Sequence, residues 1–305
     1  MATGPALPST PEPLPLGALS DPILVDPGPR LLRAVVEAYG EAAPALVEPS
    51  VADLASEADG ADGTDGAGDH GPSEIPTLNV FAGEAAVDVA TAGFRPASRL
   101  AALLDADVID LRVIDAPQPN PVLAGEETGF ALVESEDREA AGEASRWHRV
   151  GDDASLRERY ASAFAAAEPY GLRTPSRRRV FEGFAGRCDE SVAAAVLRAL
   201  DVAANPDAAG TDGPDSEETR VRAYAVGARE GLLDRTLRRA CEEAGLGSPS
   251  TFTRIKRLLR EADLIETASE PQPVGRPRER LAARGALAGA ETPEETVAAV
   301  RGVAE

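Results

Sequence analysis

The chain of 305 residues contains one lysine, one methionine, one tryptophan, two histidines and two cysteines. Each scarcity closes off a class of chemistry. Cys188 and Cys241 stand far apart with no paired spacing. They make no disulfide framework and suit a reducing interior, where a lone cysteine is a small buried hydrophobe. His70 and His148, with no cysteine pair beside them, cannot supply a zinc tetrahedron. Lys256 falls inside an expected basic helix, and no Gly-x-x-x-x-Gly-Lys phosphate loop occurs. No Gly-x-Ser-x-Gly elbow occurs. Asp105, Asp107 and Asp110 cluster near a strand start but read as solubility charges in so acidic a chain. No catalytic residue, metal ligand or cofactor site is therefore expected. Long apolar runs are also missing: Val192 to Ala204 is too short to span a membrane and is interrupted by Arg198 and Asp201. The proline-rich N-terminus has no basic residue before Arg30, unlike a secretory signal. A cytoplasmic protein, with no membrane partner, is expected.

What the chain does have is acid, with a formal net charge of -21. Abundant carboxylates, arginine in place of lysine, and much alanine read as adaptation to a high-salt cytoplasm, where a carboxylate surface stays hydrated. The distribution matters more than the total. Residues 1–216 carry 16 basic and 37 acidic side chains, and residues 286–305 carry 1 and 4. Residues 217–285 reverse the sign, with 14 basic against 11 acidic.

Periodicity gives a coarse architecture: a mixed α+β chain, with an N-terminal α/β domain before a mainly helical C-terminal winged helix-turn-helix. Residues 1–20 read as a disordered tail. The α/β domain spans 21–170. It opens with the Ile23-Leu24-Val25 strand, the Asp26-Pro27-Gly28-Pro29 turn and a helix carrying Leu31, Leu32, Val35, Val36 and Tyr39. An acidic loop covers 57–74, and strands are expected at Thr77–Phe81, Val108–Ile114 and Thr128–Val133. Helices are expected at Ala97–Leu104 and along the Leu156, Tyr160, Phe164 stripe. Two connector helices occupy 175–202, the second capped by Asp189. They are candidate dimer helices. An acidic loop at 203–217 leads to the winged helix at 218–284, and 285–305 reads as a tail.

Function lies in the basic segment. A helix over Val221–Gly231 precedes one over Leu233–Ala244, closed by Gly245-Leu246-Gly247. A glycine past a helix end takes positive φ freely. Ser248-Pro249 then opens a third helix, serine as N-cap and proline at the first helical position. Helix, tight turn and helix at this spacing is a DNA-reading arrangement. In the third helix Phe252, Ile255, Leu259 and Ala262 share the inward face. Ser250, Arg254 and Arg257 point away, with Thr253 and Arg260 on the flank. No acid falls between Ser250 and Arg260. A strand at Leu264–Thr267, a turn at Pro271–Gly275 and a strand at Arg278–Ala283 form a wing, with Arg276, Arg278 and Arg280 at its tip. Arginines on a thin loop can reach phosphates or a narrow minor groove.

The runs Gly227-Ala228-Arg229-Glu230-Gly231-Leu232-Leu233, Glu243 through Lys256, Leu264-Ile265-Glu266-Thr267 and Val274-Gly275-Arg276-Pro277-Arg278 resemble the haloarchaeal TbsP-type winged helix-turn-helix regulators. The likeness is clearest over 218–282 and extends more loosely upstream, through Glu168-Pro169-Tyr170-Gly171-Leu172-Arg173-Thr174-Pro175. It implies a regulator of sugar and central carbon metabolism genes, glycolysis or gluconeogenesis.

The expected partner is double-stranded promoter DNA. Ser250, Thr253, Arg254 and Arg257 would read bases. Ser248, Thr251, Lys256, Arg260, Arg276, Arg278 and Arg280 would hold the backbone or the minor groove. A homodimer on paired half-sites is expected, and the α/β domain is a candidate sensor of a small metabolite. Two rivals stand beside this reading: a winged helix used for protein contacts, and an enzyme with a DNA-tethering domain.

Overall fold

The computed structural model describes residues 4–9, 12–60, 75–134, 145–202, 214–271 and 277–303. Its contacts divide into two compact units. One comprises residues 1–48, 64–91 and 99–172; the other comprises 49–63, 92–98 and 173–305.

The first unit begins with two paired two-residue strands, β1 (Ala6–Leu7) and β2 (Leu14–Pro15), and a short 3-10 turn at Leu16–Ala18. Leu7 and Leu16 are fully buried. For the described residues 4–9 and 12–20 the expectation of a disordered tail is corrected: two buried leucines tie down a proline-rich segment whose pairing has no readable period. Then come β3 (Ile23–Val25), α1 (Pro29–Ala42) and α2 (Pro44–Val47). The next helix, α3 (Val51–Gly60), groups with the second unit. The acidic loop expected from 57 therefore begins as helix to Gly60, and 61–74 lie outside the described residues. The first unit continues with β4 (Leu78–Ala82) and α4 (Glu84–Ala90). In α5 (Phe94–Asp105), residues from Arg99 onward belong to it. It closes with β5 (Ile109–Val113), β6 (Val122–Ala124), β7 (Gly129–Glu134), β8 (Ser145–Gly151) and α6 (Ser155–Ala166).

These strands form one six-stranded sheet, ordered β5-β4-β3-β6-β7-β8. β3, β4 and β5 run parallel, and β6, β7 and β8 are antiparallel. Alternation along each strand builds two faces. Leu24, Leu78, Val80, Leu111, Leu123 and Trp147 pack with Leu32, Val35 and Tyr39 of α1 and Leu100 and Leu103 of α5. Ile23, Val25 and Phe81 face Tyr160 and Phe164 of α6. Arg112 seals the end of α6. Its guanidinium lies 4.9 Å from the Phe164 ring centre and donates to the carbonyls of Ala165 at 3.1 Å and Ala167 at 3.2 Å. These are carbonyls a helix end leaves unpaired.

The second unit holds α7 (Arg177–Ala185), α8 (Glu190–Asp201), α9 (Ser216–Arg229), α10 (Asp234–Glu243) and α11 (Pro249–Glu261). The hairpin of β9 (Ile265–Glu270) and β10 (Arg278–Ala283) follows, then α12 (Gly285–Ala288) and α13 (Pro293–Val300). Asp189 caps α8 as expected, its carboxylate accepting from Val192 N at 2.9 Å. Ser191 Oγ and that N–H hold the carboxyl below the usual carboxylate range.

Three expectations change here. The connector helices share one core with the helix-turn-helix: Val180, Phe181, Phe184, Val196, Leu197 and Leu200 pack with Val221, Tyr224, Leu237 and Phe252. Their apolar faces are used inside the chain, which removes the motive for calling them dimer helices. A β-carbon on Gly183 would stand 2.5 Å from Ala244 N, so α7 meets the end of α10 with no side chain between the two backbones. The acidic loop expected over 203–217 ends earlier, because Asp215 caps α9 with bonds of 2.8 Å from Glu217 N and Glu218 N. Residues 203–213 lie outside the described residues. Finally, the described residues 285–303 of the expected tail are folded. Thr292 and Glu295 make a reciprocal capping box for α13, and Leu287, Val297 and Val300 join the core.

Cys241 is fully buried and Cys188 half-buried. Burial pushes the Cys188 thiol up to about 11 and Cys241 well above its ordinary value, so both pack as protonated thiols. No helix among the described residues is long and apolar enough to cross a membrane.

Candidate nucleic-acid interface

The two helices that precede the candidate recognition helix end in the same way. After α9, Gly231 N donates to Ala228 O at 3.0 Å and Leu232 N to Gly227 O at 3.1 Å, with Gly231 at φ 65°. After α10, Gly245 N donates to Glu242 O at 3.0 Å and Leu246 N to Cys241 O at 2.9 Å, with Gly245 at φ 75°. This paired bonding lets a helix stop within one residue. The buried Leu246 pins the turn between α10 and α11, and Arg220 Nε donates to its carbonyl at 2.7 Å.

The face of α11 that turns inward carries Phe252, Ile255 and Leu259, all fully buried. Phe252 stacks on Tyr224 with ring centres 5.9 Å apart. Ala262, expected on this face, is exposed: it is the helix's C-cap, where the 100° periodicity no longer applies. Ser248 is the N-cap of α11 but makes no side-chain bond to the helix backbone. Its hydroxyl instead meets those of Ser250 at 2.7 Å and Thr251 at 3.2 Å.

The outward face carries what the periodicity placed there. Ser250, Thr253, Arg254, Arg257 and Arg260 are all exposed, and Thr251 is half-buried. Thr253 Oγ1 donates to Pro249 O at 3.0 Å and accepts from Arg238 Nη1 at 3.2 Å. β9 and β10 pair antiparallel, with Leu281 opposite Thr267, and Leu281 N donates to Leu232 O at 2.9 Å. The wing is thereby tied to the segment between α9 and α10. Arg278 and Arg280 are exposed on β10. Arg276 and the tip at 272–276 lie outside the described residues.

The electrostatics differ from what the sequence alone suggests. Lys256 was expected to reach phosphate, yet its side chain is only 14% exposed. Its Nζ lies 2.5 Å from Glu279 Oε2 and 3.4 Å from Asp234 Oδ2. Asp234, itself 2% exposed, also accepts from Tyr224 OH and from Arg238, each at 2.5 Å. Burial, then this bond, raises the Tyr224 phenol far above its ordinary value. Lys256 is thus part of a polar hub joining α9, α10, α11 and β10. Arg254 Nη1 pairs with Glu217 Oε1 at 2.6 Å, and Arg280 Nη2 with Glu270 Oε2 at 3.0 Å. Arg257 stands 3.8 Å from Glu261, a loose exposed pair. Among the described residues, Arg260 and Arg278 have no ion-pair partner.

Sequence reading missed part of this surface. Arg235 and Arg239 are exposed on α10, on the same side as Arg238, whose guanidinium reaches Thr253 of α11. Their i, i+3, i+4 spacing, opposite the buried Leu237, Ala240 and Cys241, was the available signal.

Residues 176–301 match the family model described as the C-terminal HTH domain of TbsP-like transcriptional regulators. Residues 64–175 match the model of the N-terminal domain of the same proteins. Comparison with curated proteins and with solved structures returns no match.

Proposed function

Because the chain belongs to the TbsP-like transcriptional regulators, DNA-binding helix-turn-helix proteins, we propose that α11 enters the major groove of promoter DNA. Ser250, Thr253, Arg254 and Arg257 read base edges in this assignment, arginine matching the acceptor pair of guanine. Arg260, Arg278, Arg280 and Arg276, with Arg235 and Arg239 of α10 and the Ser248 and Thr251 hydroxyls, hold the phosphates. Lys256 supports these contacts from beneath. The observation that carries the reading is the outward face of α11, where three arginines and two hydroxyls stand exposed over a fully buried Phe252, Ile255 and Leu259.

Further parts of the proposal rest on the family and on composition. The genes are those of sugar and central carbon metabolism, as the family resemblance implies. The acid excess fits a halophilic archaeal cytoplasm. The protein acts as a homodimer on paired half-sites, since one recognition helix reads too few base pairs for a genomic address. The six-stranded unit senses a small metabolite, a sugar or sugar phosphate.

Genome-wide immunoprecipitation of the tagged protein, with and without glucose, tests the reading. Sharp promoter peaks that change with sugar are expected. No enrichment in either condition would transfer the surface to protein contacts. That rival draws on the pairing of Arg254, Lys256 and Arg280 with carboxylates, which lowers the net charge offered to DNA.

A further inference from the structure

We propose that Glu217, Glu279 and Glu270 are built-in counter-ions of the DNA-contact surface, which lower the number of ions exchanged on binding and so flatten its salt dependence. The inference rests on the DNA-binding reading above. It starts from geometry: two exposed arginines of the surface and the lysine beneath it are each held by a carboxylate of the same unit. The pairs are Arg254 with Glu217 at 2.6 Å, Lys256 with Glu279 at 2.5 Å, and Arg280 with Glu270 at 3.0 Å. The three carboxylates come from three elements: the first turn of α9, β10 and β9. They therefore lie at the start of α9 and on both strands of the wing rather than in one run of the sequence. Each side chain is accessible, at 34%, 56% and 40%.

The consequence follows from counting ions. A free arginine that neutralises a phosphate releases about 0.9 condensed counter-ions, which go to bulk solution, and affinity falls with salt accordingly. A carboxylate carried into the phosphates' field acts the other way, whether its partner meets a phosphate (Arg280), a base edge (Arg254) or neither (Lys256). Either the carboxylate stays at the interface and cancels the added charge, or it is set free and takes up a cation from solution. Both routes subtract the ion that would have been released. Each retained carboxylate, by cancelling or recapturing one ion, thus removes up to about 0.9 from the slope of log affinity against log salt. The bond from Arg254 holds the Glu217 carboxyl below the usual carboxylate range, so it stays charged near neutrality. Arg260 and Arg278, exposed and without an ion-pair partner among the described residues, provide the internal contrast. They carry the ordinary, salt-sensitive share of binding.

The test measures affinity of the full chain for a mixed-sequence DNA duplex across a tenfold range of potassium chloride. Wild type is compared with Glu217→Gln, Glu279→Gln, Glu270→Gln and the triple variant. Glu37→Gln on α1 serves as a control, and thermal unfolding of each variant verifies the fold. Each glutamine is expected to tighten binding at low salt and to steepen the slope by up to about 0.9. The advantage over wild type would then shrink by up to about eightfold across the range. The triple variant should steepen it by up to about 2.7, and Glu37→Gln should leave it unchanged. Variants whose curves run parallel to wild type would overturn the inference while leaving DNA binding intact. A wild-type chain that binds no duplex at any salt would overturn the DNA-binding reading itself.

Discussion

Lys256 Nζ lies 3.4 Å from Asp234 Oδ2, so the only lysine of the chain is a strut between α11 and the first turn of α10. The carboxylate it meets is almost fully buried and also bound by Tyr224 and Arg238. Removing one partner of a buried charge leaves the other uncompensated. Asp234→Ala is therefore expected to destabilise the chain by about 3–5 kcal/mol. Lys256→Ala, which leaves Asp234 two other donors, should cost about 1–3 kcal/mol. Urea unfolding checks both, and a neutral Asp234→Ala would dismiss the hub.

Arg254 should behave in the opposite way. It is exposed, and its pair with Glu217 adds little to stability. Arg254→Ala is expected to leave the melting temperature nearly unchanged and to weaken binding to the natural operator by about 1–3 kcal/mol, with relaxed preference at one base pair. Arg278→Ala should instead weaken all sequences alike and lower the salt slope by about 0.9. Competition binding against operator variants distinguishes the two; identical behaviour would remove the division between base reading and backbone holding.

Gly183 and Gly227, both inside helices, have no room for a side chain. A β-carbon on Gly227 of α9 would collide with Leu237 of α10, and one on Gly183 would meet the Ala244 backbone. Overpacking of this kind costs about 1–3 kcal/mol. Gly183→Ala should be the worse, because Leu237 can change rotamer and a helix-end backbone cannot. Equal denaturation midpoints for Gly183→Ala and wild type would mean that α7 and α10 separate freely.

Asp263 ends α11 in the left-handed region, at φ 54°, with Leu264 N bonding Leu259 O at 2.9 Å. Glycine takes that conformation without a β-carbon clash. Asp263→Gly is expected to stabilise by up to about 1 kcal/mol. Thermal unfolding shows this directly, and a lower melting temperature would give the Arg284 contact at 3.7 Å more weight than an exposed pair usually has.

The cap of α8 predicts a pH dependence. The Asp189 carboxyl titrates below its ordinary 3.8 in the folded chain, so the unfolded state takes up its proton first as pH falls. Its contribution is complete above the unfolded value and is lost as pH drops through the lowered folded value. An asparagine at this position would keep the cap but not titrate. Asp189→Asn should therefore match wild type near neutrality and lose less stability as pH falls below about 4. Parallel acid limbs would contradict the assignment.

Local rules explain which features were legible beforehand. Asp189 as a cap, Ile23–Val25 as a strand and Gly245 as a helix stop each depend on residues within one turn of themselves. So does the exposed face of α11, which follows from a 100° step. The pairing of Ala6–Leu7 with Leu14–Pro15 has too few residues to show a period. The α12 and α13 helices are short and weakly amphipathic; what holds them is a core assembled from α8 and α9 far upstream. Sequence position likewise gave no warning that Glu217, 37 residues before Arg254, would meet it.

The sequence by itself determined the kind of protein this is. One basic segment in an acidic chain, with a glycine-closed turn and an amphipathic helix whose polar face holds arginine, specifies a helix-turn-helix through local backbone and charge alone. Tertiary structure decided which cations are free. Arg254, Lys256 and Arg280 form ion pairs with carboxylates contributed by other elements, while among the described residues Arg260 and Arg278 form none. Coulomb attraction acts on distance in space, and only folding brings charges distant in sequence into contact with each other.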